Sequence, residues 1–188
     1  MIITDSKLRE LTPNVRTLNE TILQRRVFSE TNHRYSVFLS HKHDEINYLN
    51  RVRTILESLN NCVYVDWADP AMQHPTNRQT AERLKQKICQ YDKFIFVASD
   101  AAIDSEWCNW EIGYGDAQKY DTDKIALFPI KQDNREWMGN EYLQLYPSIE
   151  YFDGTTRYTT GTLIPQGFYV KYRYRNNRIV PLERWLGS

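Results

Sequence analysis

Residues 94–98 read FIFVA, and this short apolar run decides the fold. A nearly continuous apolar run of this length is typical of a strand that is buried on both faces of a parallel sheet. A stripe of apolar residues at helical spacing precedes it at 81–89, and a further helical segment follows at 105–120. The sequence therefore predicts a central strand with a helix before it and a helix after it.

The same alternation extends along most of the chain. Upstream, strand signals at 35–39 and 62–65 flank a helical pattern at 44–59, and downstream, strand signals follow at 125–130 and 149–152. Strands that alternate with helices predict right-handed βαβ units, in which helices cover both faces of a parallel sheet. We therefore expect an α/β fold.

The two ends of the chain differ from this body. Apolar residues at helical spacing between 14 and 30 predict one amphipathic helix near the N-terminus. Near the other end, residues 167–180 predict a hairpin and residues 181–186 predict a short closing helix. The predicted division is an N-terminal helical extension, a central domain and a C-terminal strand and helix extension packed on it, at residues 1–33, 34–155 and 156–188.

The charge balance argues against a general nucleic-acid-binding protein. The chain has 24 basic and 24 acidic side chains, whereas proteins that coat nucleic acids are usually strongly basic. The neutrality is a cancellation, because residues 35–156 hold 12 basic and 19 acidic side chains, and residues 157–188 hold 6 basic and 1 acidic. We interpret the basic tail either as a supporting strand or as a docking face for the acidic body of a neighbouring copy.

Composition also predicts the compartment. No stretch approaches the roughly 20 apolar residues of a membrane-spanning helix, and the first ten residues lack the apolar core of a signal peptide. Widely separated cysteines predict no disulfide and a reducing, cytoplasmic home; they are Cys62, Cys89 and Cys108. The four histidines form no recognisable metal-binding set, so no metal site is predicted.

In an open α/β sheet, ligands bind outside the carboxyl ends of the strands. The relevant segments here are 40–44, 66–76, 99–106 and 131–135. The first offers a hydroxyl, two imidazoles and an ammonium, which suit phosphate or ribose binding but also a solvated turn. The second is long for a βα connection, and in it Trp67 either stacks on a flat ring or anchors the loop.

The most informative segment is 105–111, which reads SEWCNWE. Trp107 and Glu111 are four residues apart, so they share one face of a helix. A carboxylate beside an indole lies in a partly apolar setting, which raises its pKa or directs it at a sugar. The alternative is a structural tryptophan beside a surface glutamate.

Taken in order, YSVFLSH at 35–41, the long loop after the second strand and SEWCNWE at 105–111 resemble the Toll/interleukin-1 receptor (TIR) family, in particular its bacterial members. The resemblance covers about 34–155 and implies a flavodoxin-like fold with about five parallel strands. It also implies that the protein cleaves the nicotinamide–ribose bond of NAD⁺, with Glu111 as the catalytic residue. NAD⁺ is then the substrate, and neither a cofactor nor a metal is required.

The resemblance further implies a substrate-binding set and partners. The residues expected to contact substrate are Ser40, His41, Lys42, Asp66, Trp67, Arg78 and Trp107. The product is expected to be ADP-ribose, a cyclic isomer or a conjugate, and the protein to self-associate through TIR–TIR contacts. By analogy with the NAD-consuming subunit of Thoeris anti-phage systems, the product is expected to activate an effector protein, with neither nucleic acid nor membrane as a partner.

Two other functions remain open at this stage. A TIR domain that only scaffolds other TIR domains would turn over no NAD⁺ and would depend on the loop at 66–75. A nucleoside deoxyribosyltransferase, which uses a similar sheet and a carboxylate, would prefer deoxynucleosides to NAD⁺.

Overall fold

The computed structural model of the protein describes residues 1–15, 35–66, 78–137 and 139–188. From residue 16 onward the predicted N-terminal helix lies outside the described residues. The same is true of Trp67 and most of the long loop that contains it.

Eight strands form one sheet in the part of the chain that the structure describes. The strands are β1 (Ile3–Thr4), β2 (Tyr35–Ser40), β3 (Asn61–Tyr64), β4 (Lys93–Ala98), β5 (Ile125–Lys131), β6 (Ser148–Phe152), β7 (Gly167–Tyr172) and β8 (Arg178–Pro181). The helices are α1 (Asp5–Leu11), α2 (Ile46–Ser58), α3 (Arg78–Gln90), α4 (Asp100–Ile103), α5 (Glu106–Lys119), a 3₁₀ helix (Glu141–Leu145) and α6 (Leu182–Leu186).

Neighbouring strands follow the order β3-β2-β4-β5-β6-β7-β8. The first five of these run parallel, which confirms the predicted α/β fold. The predicted C-terminal hairpin is present as β7 and β8, and it continues the same sheet in antiparallel pairing rather than standing apart from it. Strand β1, which the sequence analysis missed, pairs with the carboxyl end of β5 through Ile3 and Ile130. The sheet is therefore larger than the five strands expected.

The apolar run at 94–98 forms the centre of the core. Strand β4 lies between β2 and β5, and every one of its residues is buried. Phe94 and Phe96 belong to the cluster that includes the buried faces of α3 and α5, whereas Ile95 and Val97 belong to the cluster that includes α2 and α6. The alternation of side chains along a strand thus supplies both apolar layers, and helices cover both faces as predicted.

The strand order also creates a crevice. The second strand of the domain, β3, lies on one side of β2, and the third, β4, lies on the other. The chain therefore leaves β2 toward one side, through helix α2, and leaves β4 toward the other, through helices α4 and α5. A crevice opens at the carboxyl ends of β2 and β4, where these connections diverge.

Two glycines in helix α5 have opposite surroundings. A Cβ atom added at Gly115 would lie 3.0 Å from Cδ2 of Phe94, whose ring is fully buried. A Cβ atom added at Gly113 would meet no atom within 4 Å. Close packing on the central strand therefore explains Gly115, and nothing in the structure explains Gly113.

This difference gives a matched pair of substitutions. We expect Gly113→Ala to raise the free energy of unfolding by about 0.5–1 kcal/mol, because alanine favours the helix. We expect Gly115→Ala to lower it by about 1 kcal/mol, because overpacking against Phe94 outweighs the same helical gain. Urea unfolding of both variants measures the two effects, and equal stabilisation by both would contradict this account of the packing.

Candidate active site

Helix α5 directs Glu111 at the end of strand β2. The helix begins where predicted, with Ser105 as its N-cap, and the Ser105 hydroxyl accepts from the backbone N–H of Cys108. Cys108, Glu111 and Ile112 are all buried, three and four residues apart, so they form the inward face of the helix. Glu111 therefore projects inward with apolar neighbours rather than toward water.

A short hydrogen bond joins this helix to the sheet. The hydroxyl of Ser40, the last residue of β2, donates to Glu111 Oε2 over 2.5 Å. Both residues are buried, with 1% and 3% of their surfaces exposed. The nearby Trp107 indole also acts to lower the pKa of the Glu111 carboxyl, so the predicted juxtaposition of Trp107 and Glu111 is present. The alternative of a surface glutamate is wrong.

The surroundings of Glu111 make ionisation costly. Burial, followed by the negative charge of Asp66, raises the pKa of the Glu111 carboxyl to about 8. The hydrogen bond from Ser40 and the nearby Trp107 indole oppose this rise because they favour the carboxylate, but they do not cancel it.

His41 and Asp66 lie at the same sheet edge. His41 is 5% exposed, and its Nδ1 lies 3.3 Å from the Leu39 carbonyl oxygen and 3.9 Å from Asp66 Oδ1. Burial lowers the pKa of the imidazole, although the Asp66 carboxylate opposes that effect. The Cys108 thiol donates to the His41 carbonyl oxygen, which holds the β2 terminus against helix α5.

A second serine–carboxylate pair lies nearby and was missed by sequence analysis. The Ser99 hydroxyl, just beyond β4, donates to the carboxylate of Glu45, just before α2. Burial raises the pKa of Glu45. Both residues follow strand ends, which was the available signal, but only the sheet order shows that they meet.

An aromatic stack lies beside Glu111 and was also missed. The Trp107 and Trp110 rings stack with centroids 4.9 Å apart, and the Trp110 and Tyr114 rings stack at 6.2 Å. The Lys85 ammonium of helix α3 lies over both Trp110 and Tyr114. The spacing of three and four residues along α5 was the signal for this stripe, which fixes the orientation of the Trp107 indole.

The remaining predicted substrate contacts have different outcomes. Lys42 is half-buried at the same edge, where its charge acts on both Glu45 and Cys108. Arg78 is not brought into this cluster, since its side chain is 91% exposed and its Nε donates to Glu82 one turn along α3. Trp67 lies outside the described residues, so its contact stays a prediction.

Comparison with known proteins then identifies the family. A family model of the TIR domain matches residues 37–162, well over half of the chain. The chain belongs to the TIR domain family. This assignment confirms the resemblance drawn from the first strand and the third-helix segment.

Two curated bacterial relatives are cyclic ADP-D-ribose synthases by name. The "Probable 3′ cyclic ADP-D-ribose synthase ThsB′" of Bacillus cereus (strain MSX-D12) is 29% identical over 119 residues, which are 61% of this chain and 60% of the relative. The "Putative cyclic ADP-D-ribose synthase TIR2" of Cytobacillus dafuensis is 26% identical over 83 residues, 43% of this chain and 22% of the relative. The matched region thus spans less than two thirds of either relative.

Two further features of the TIR protein concern its helices and its cysteine side chains. Across the described ranges, no helix has both the length and the apolar character to cross a membrane. Cys62, Cys89 and Cys108, all among the described residues, form no disulfide with one another.

The buried carboxyl predicts a pH-dependent stability difference. A folded-state pKa above the unfolded value of about 4.5 means that the folded protein holds the proton more tightly. The contribution of the protonated Glu111 carboxyl to the free energy of unfolding is therefore full at low pH and is lost as the pH rises toward 8. We expect Glu111→Gln to become more stable than wild type, with the difference growing by up to about 1.4 kcal/mol per pH unit across this window.

Urea unfolding at half-unit intervals from pH 5 to pH 9 measures this difference. The matched control is Glu106→Gln, which removes an exposed carboxylate from the same helix. A stability difference between Glu111→Gln and wild type that stays constant or shrinks with rising pH would contradict the buried, protonated carboxyl.

Proposed function

We propose that this TIR protein cleaves the bond between nicotinamide and ribose in NAD⁺ and transfers the ADP-ribosyl group to water or to another acceptor. The product is ADP-ribose, a cyclic ADP-ribose or a conjugate. The observation that carries this proposal is the buried Glu111 carboxyl, which Ser40 holds at the carboxyl end of the sheet. The names of the two relatives support the same class of reaction.

The proposed reaction needs little assistance from a general acid. Nicotinamide departs as a neutral molecule, so the main requirement is to stabilise the positive charge that develops on the ribose, as in glycoside hydrolysis. A carboxylate in a water-poor site interacts strongly with such a charge because little solvent screens it. We assign this role to Glu111, and we assign to Ser40 the role of positioning its carboxylate.

The raised pKa of Glu111 fits this assignment. The nicotinamide ring of NAD⁺ is cationic, and a cation beside a carboxyl favours its charged form. Binding of substrate therefore drives Glu111 toward the carboxylate that the reaction needs. A carboxylate that is costly in isolation is stabilised most when the substrate charge lies next to it.

The neighbouring residues supply the rest of the substrate site. Lys42 is the cation at this edge that suits the diphosphate, and Asp66 adds negative charge beside the developing ribosyl cation. Trp107 orients Glu111 through its indole, and Trp67 retains its proposed role of stacking on nicotinamide. We leave Arg78 out of the proposed site, since its exposed side chain pairs with Glu82 on the surface of α3.

The wider setting follows from the family resemblance. We propose that the protein self-associates through TIR–TIR contacts, that it acts in the cytoplasm and that its product activates an effector protein in anti-phage defence. The lack of a disulfide among Cys62, Cys89 and Cys108 suits a reducing compartment.

Nicotinamide release is the direct test of the proposed reaction. Wild-type protein incubated with NAD⁺ at high protein concentration is expected to release nicotinamide, as followed by chromatography. Glu111→Gln is expected to lose about 10²–10³-fold in rate, because the charge that stabilises the ribosyl cation is gone. Ser40→Ala is expected to lose about ten-fold, because the carboxylate remains but is no longer held in place.

The control Glu106→Gln, on the exposed side of α5, should retain the wild-type rate. Release that survives Glu111→Gln would remove that residue from the mechanism. No release from concentrated wild type would instead favour a scaffold, and release from deoxynucleosides in preference to NAD⁺ would favour a deoxyribosyltransferase.

A further inference from the structure

The imidazole of His41 has one nitrogen whose role is fixed and one whose role is open. A carbonyl oxygen can only accept a hydrogen bond, so Nδ1, which lies 3.3 Å from the Leu39 oxygen, carries the proton. In the neutral ring Nε2 then presents a lone pair. That atom is buried and has no hydrogen-bond partner among the described residues. A buried acceptor without a donor is unusual in a folded protein and calls for a physical reason.

Several contacts place His41 beside the proposed site. His41 directly follows Ser40, whose hydroxyl holds Glu111, and its own carbonyl oxygen accepts from Cys108 on the inward face of α5. The charge of Asp66 acts on both His41 and Glu111, which ties the imidazole and the catalytic carboxyl to one cluster.

The same surroundings suit an imidazole that takes up a proton during a reaction. Burial favours the neutral ring, so the lone pair is available near neutral pH. Once protonated, the ring would face the Asp66 carboxylate, whose Oδ1 lies 3.9 Å from Nδ1. A base that is neutral before the reaction and is stabilised by a carboxylate afterwards is the arrangement that general-base catalysis requires.

We propose that His41 Nε2 is the general base for the second half of the reaction, and that the hydroxyl it deprotonates belongs to the second ribose of the same substrate molecule. This inference rests on the proposed cleavage of NAD⁺ and deepens it, because it names a cyclised product. A hydroxyl tethered through the diphosphate reaches the ribosyl cation at a higher effective concentration than free water does, so a base beside the cation favours the tethered hydroxyl.

The proposed cyclisation accounts for every bond, electron pair and proton without a further reactant. The bond between ribose carbon and nicotinamide nitrogen breaks, and its electron pair leaves on neutral nicotinamide. The hydroxyl oxygen of the second ribose bonds to that carbon, and its proton moves to His41 Nε2. The imidazolium, beside Asp66, later returns the proton to solvent.

The ratio of cyclised product to nicotinamide released tests the proposal. Chromatography with mass detection separates the cyclised product from ADP-ribose, which is heavier by one water. We expect His41→Gln to lower this ratio at least about ten-fold, with ADP-ribose replacing the cyclised product, because water captures the ribosyl cation when the base is missing. The matched control is His43→Gln, which removes an exposed imidazole two residues away and should keep the wild-type ratio.

A ratio within two-fold of wild type in folded His41→Gln would overturn the proposal. If that variant fails to fold, Asp66→Asn takes its place and is expected to lower the ratio by a smaller factor; an unchanged ratio there would equally overturn it. Nicotinamide release without any cyclised product from wild type would overturn this inference alone. No nicotinamide release at all would overturn the proposed function as well.

A second measurement needs no turnover. The ¹⁵N resonance of His41 Nε2 in wild-type protein should move toward the value of a hydrogen-bonded acceptor when ADP-ribose, which retains both riboses, is added. An Nε2 resonance that stays unchanged at saturating ADP-ribose would contradict a contact between this nitrogen and a ribose hydroxyl.

Discussion

The hydrogen bond between Ser40 and Glu111 is the interaction on which the proposed site depends. It joins the last residue of a central strand to the second turn of a helix that covers the sheet. A buried carboxyl without such a partner would be strongly destabilising, and a buried hydroxyl would lack an acceptor. Each group therefore requires the other, and together they fix where helix α5 lies relative to the end of strand β2.

The rest of the sheet edge is built around this contact. Cys108 ties the same helix to the backbone of His41, and Asp66 brings a second negative charge toward Glu111. On the other side of the crevice, Ser99 and Glu45 repeat the pairing of a serine with a carboxylate. The protein thus keeps several buried polar and charged side chains where the strands end, although their burial is energetically costly. This is typical of a site whose groups are stabilised fully only when a ligand is present.

Local patterns predicted most of the fold and only part of this edge. The apolar run at 94–98 and the helical segment at 105–120 depend on neighbouring residues, so the sequence alone placed strand β4 and helix α5. The pairing of Ser40 with Glu111 spans 71 positions, and that of Ser99 with Glu45 spans 54. Such pairs follow from strand order rather than from spacing, and the two residues of β1 were too short a signal to detect.

The arginine prediction finds no support in the structure, for a related reason. Arg78 follows the loop after β3 and so was expected near the strand ends, but an ion pair one helical turn away uses its guanidinium instead. By contrast, the expectation of a carboxylate beside an indole needed only a four-residue spacing, and it led to Glu111. The interactions that sequence analysis located best are those within a single helix.

The central claim is that Glu111 is a buried carboxyl whose pKa is raised by its surroundings. The most direct test is a ¹³C NMR titration of the glutamate side-chain carboxyls in wild-type protein, with Glu111→Gln identifying the resonance. We expect the Glu111 resonance to titrate well above its ordinary value of 4.5, near 8. Titration close to 4.5 would contradict the claim and would leave Glu111 an ordinary solvated glutamate.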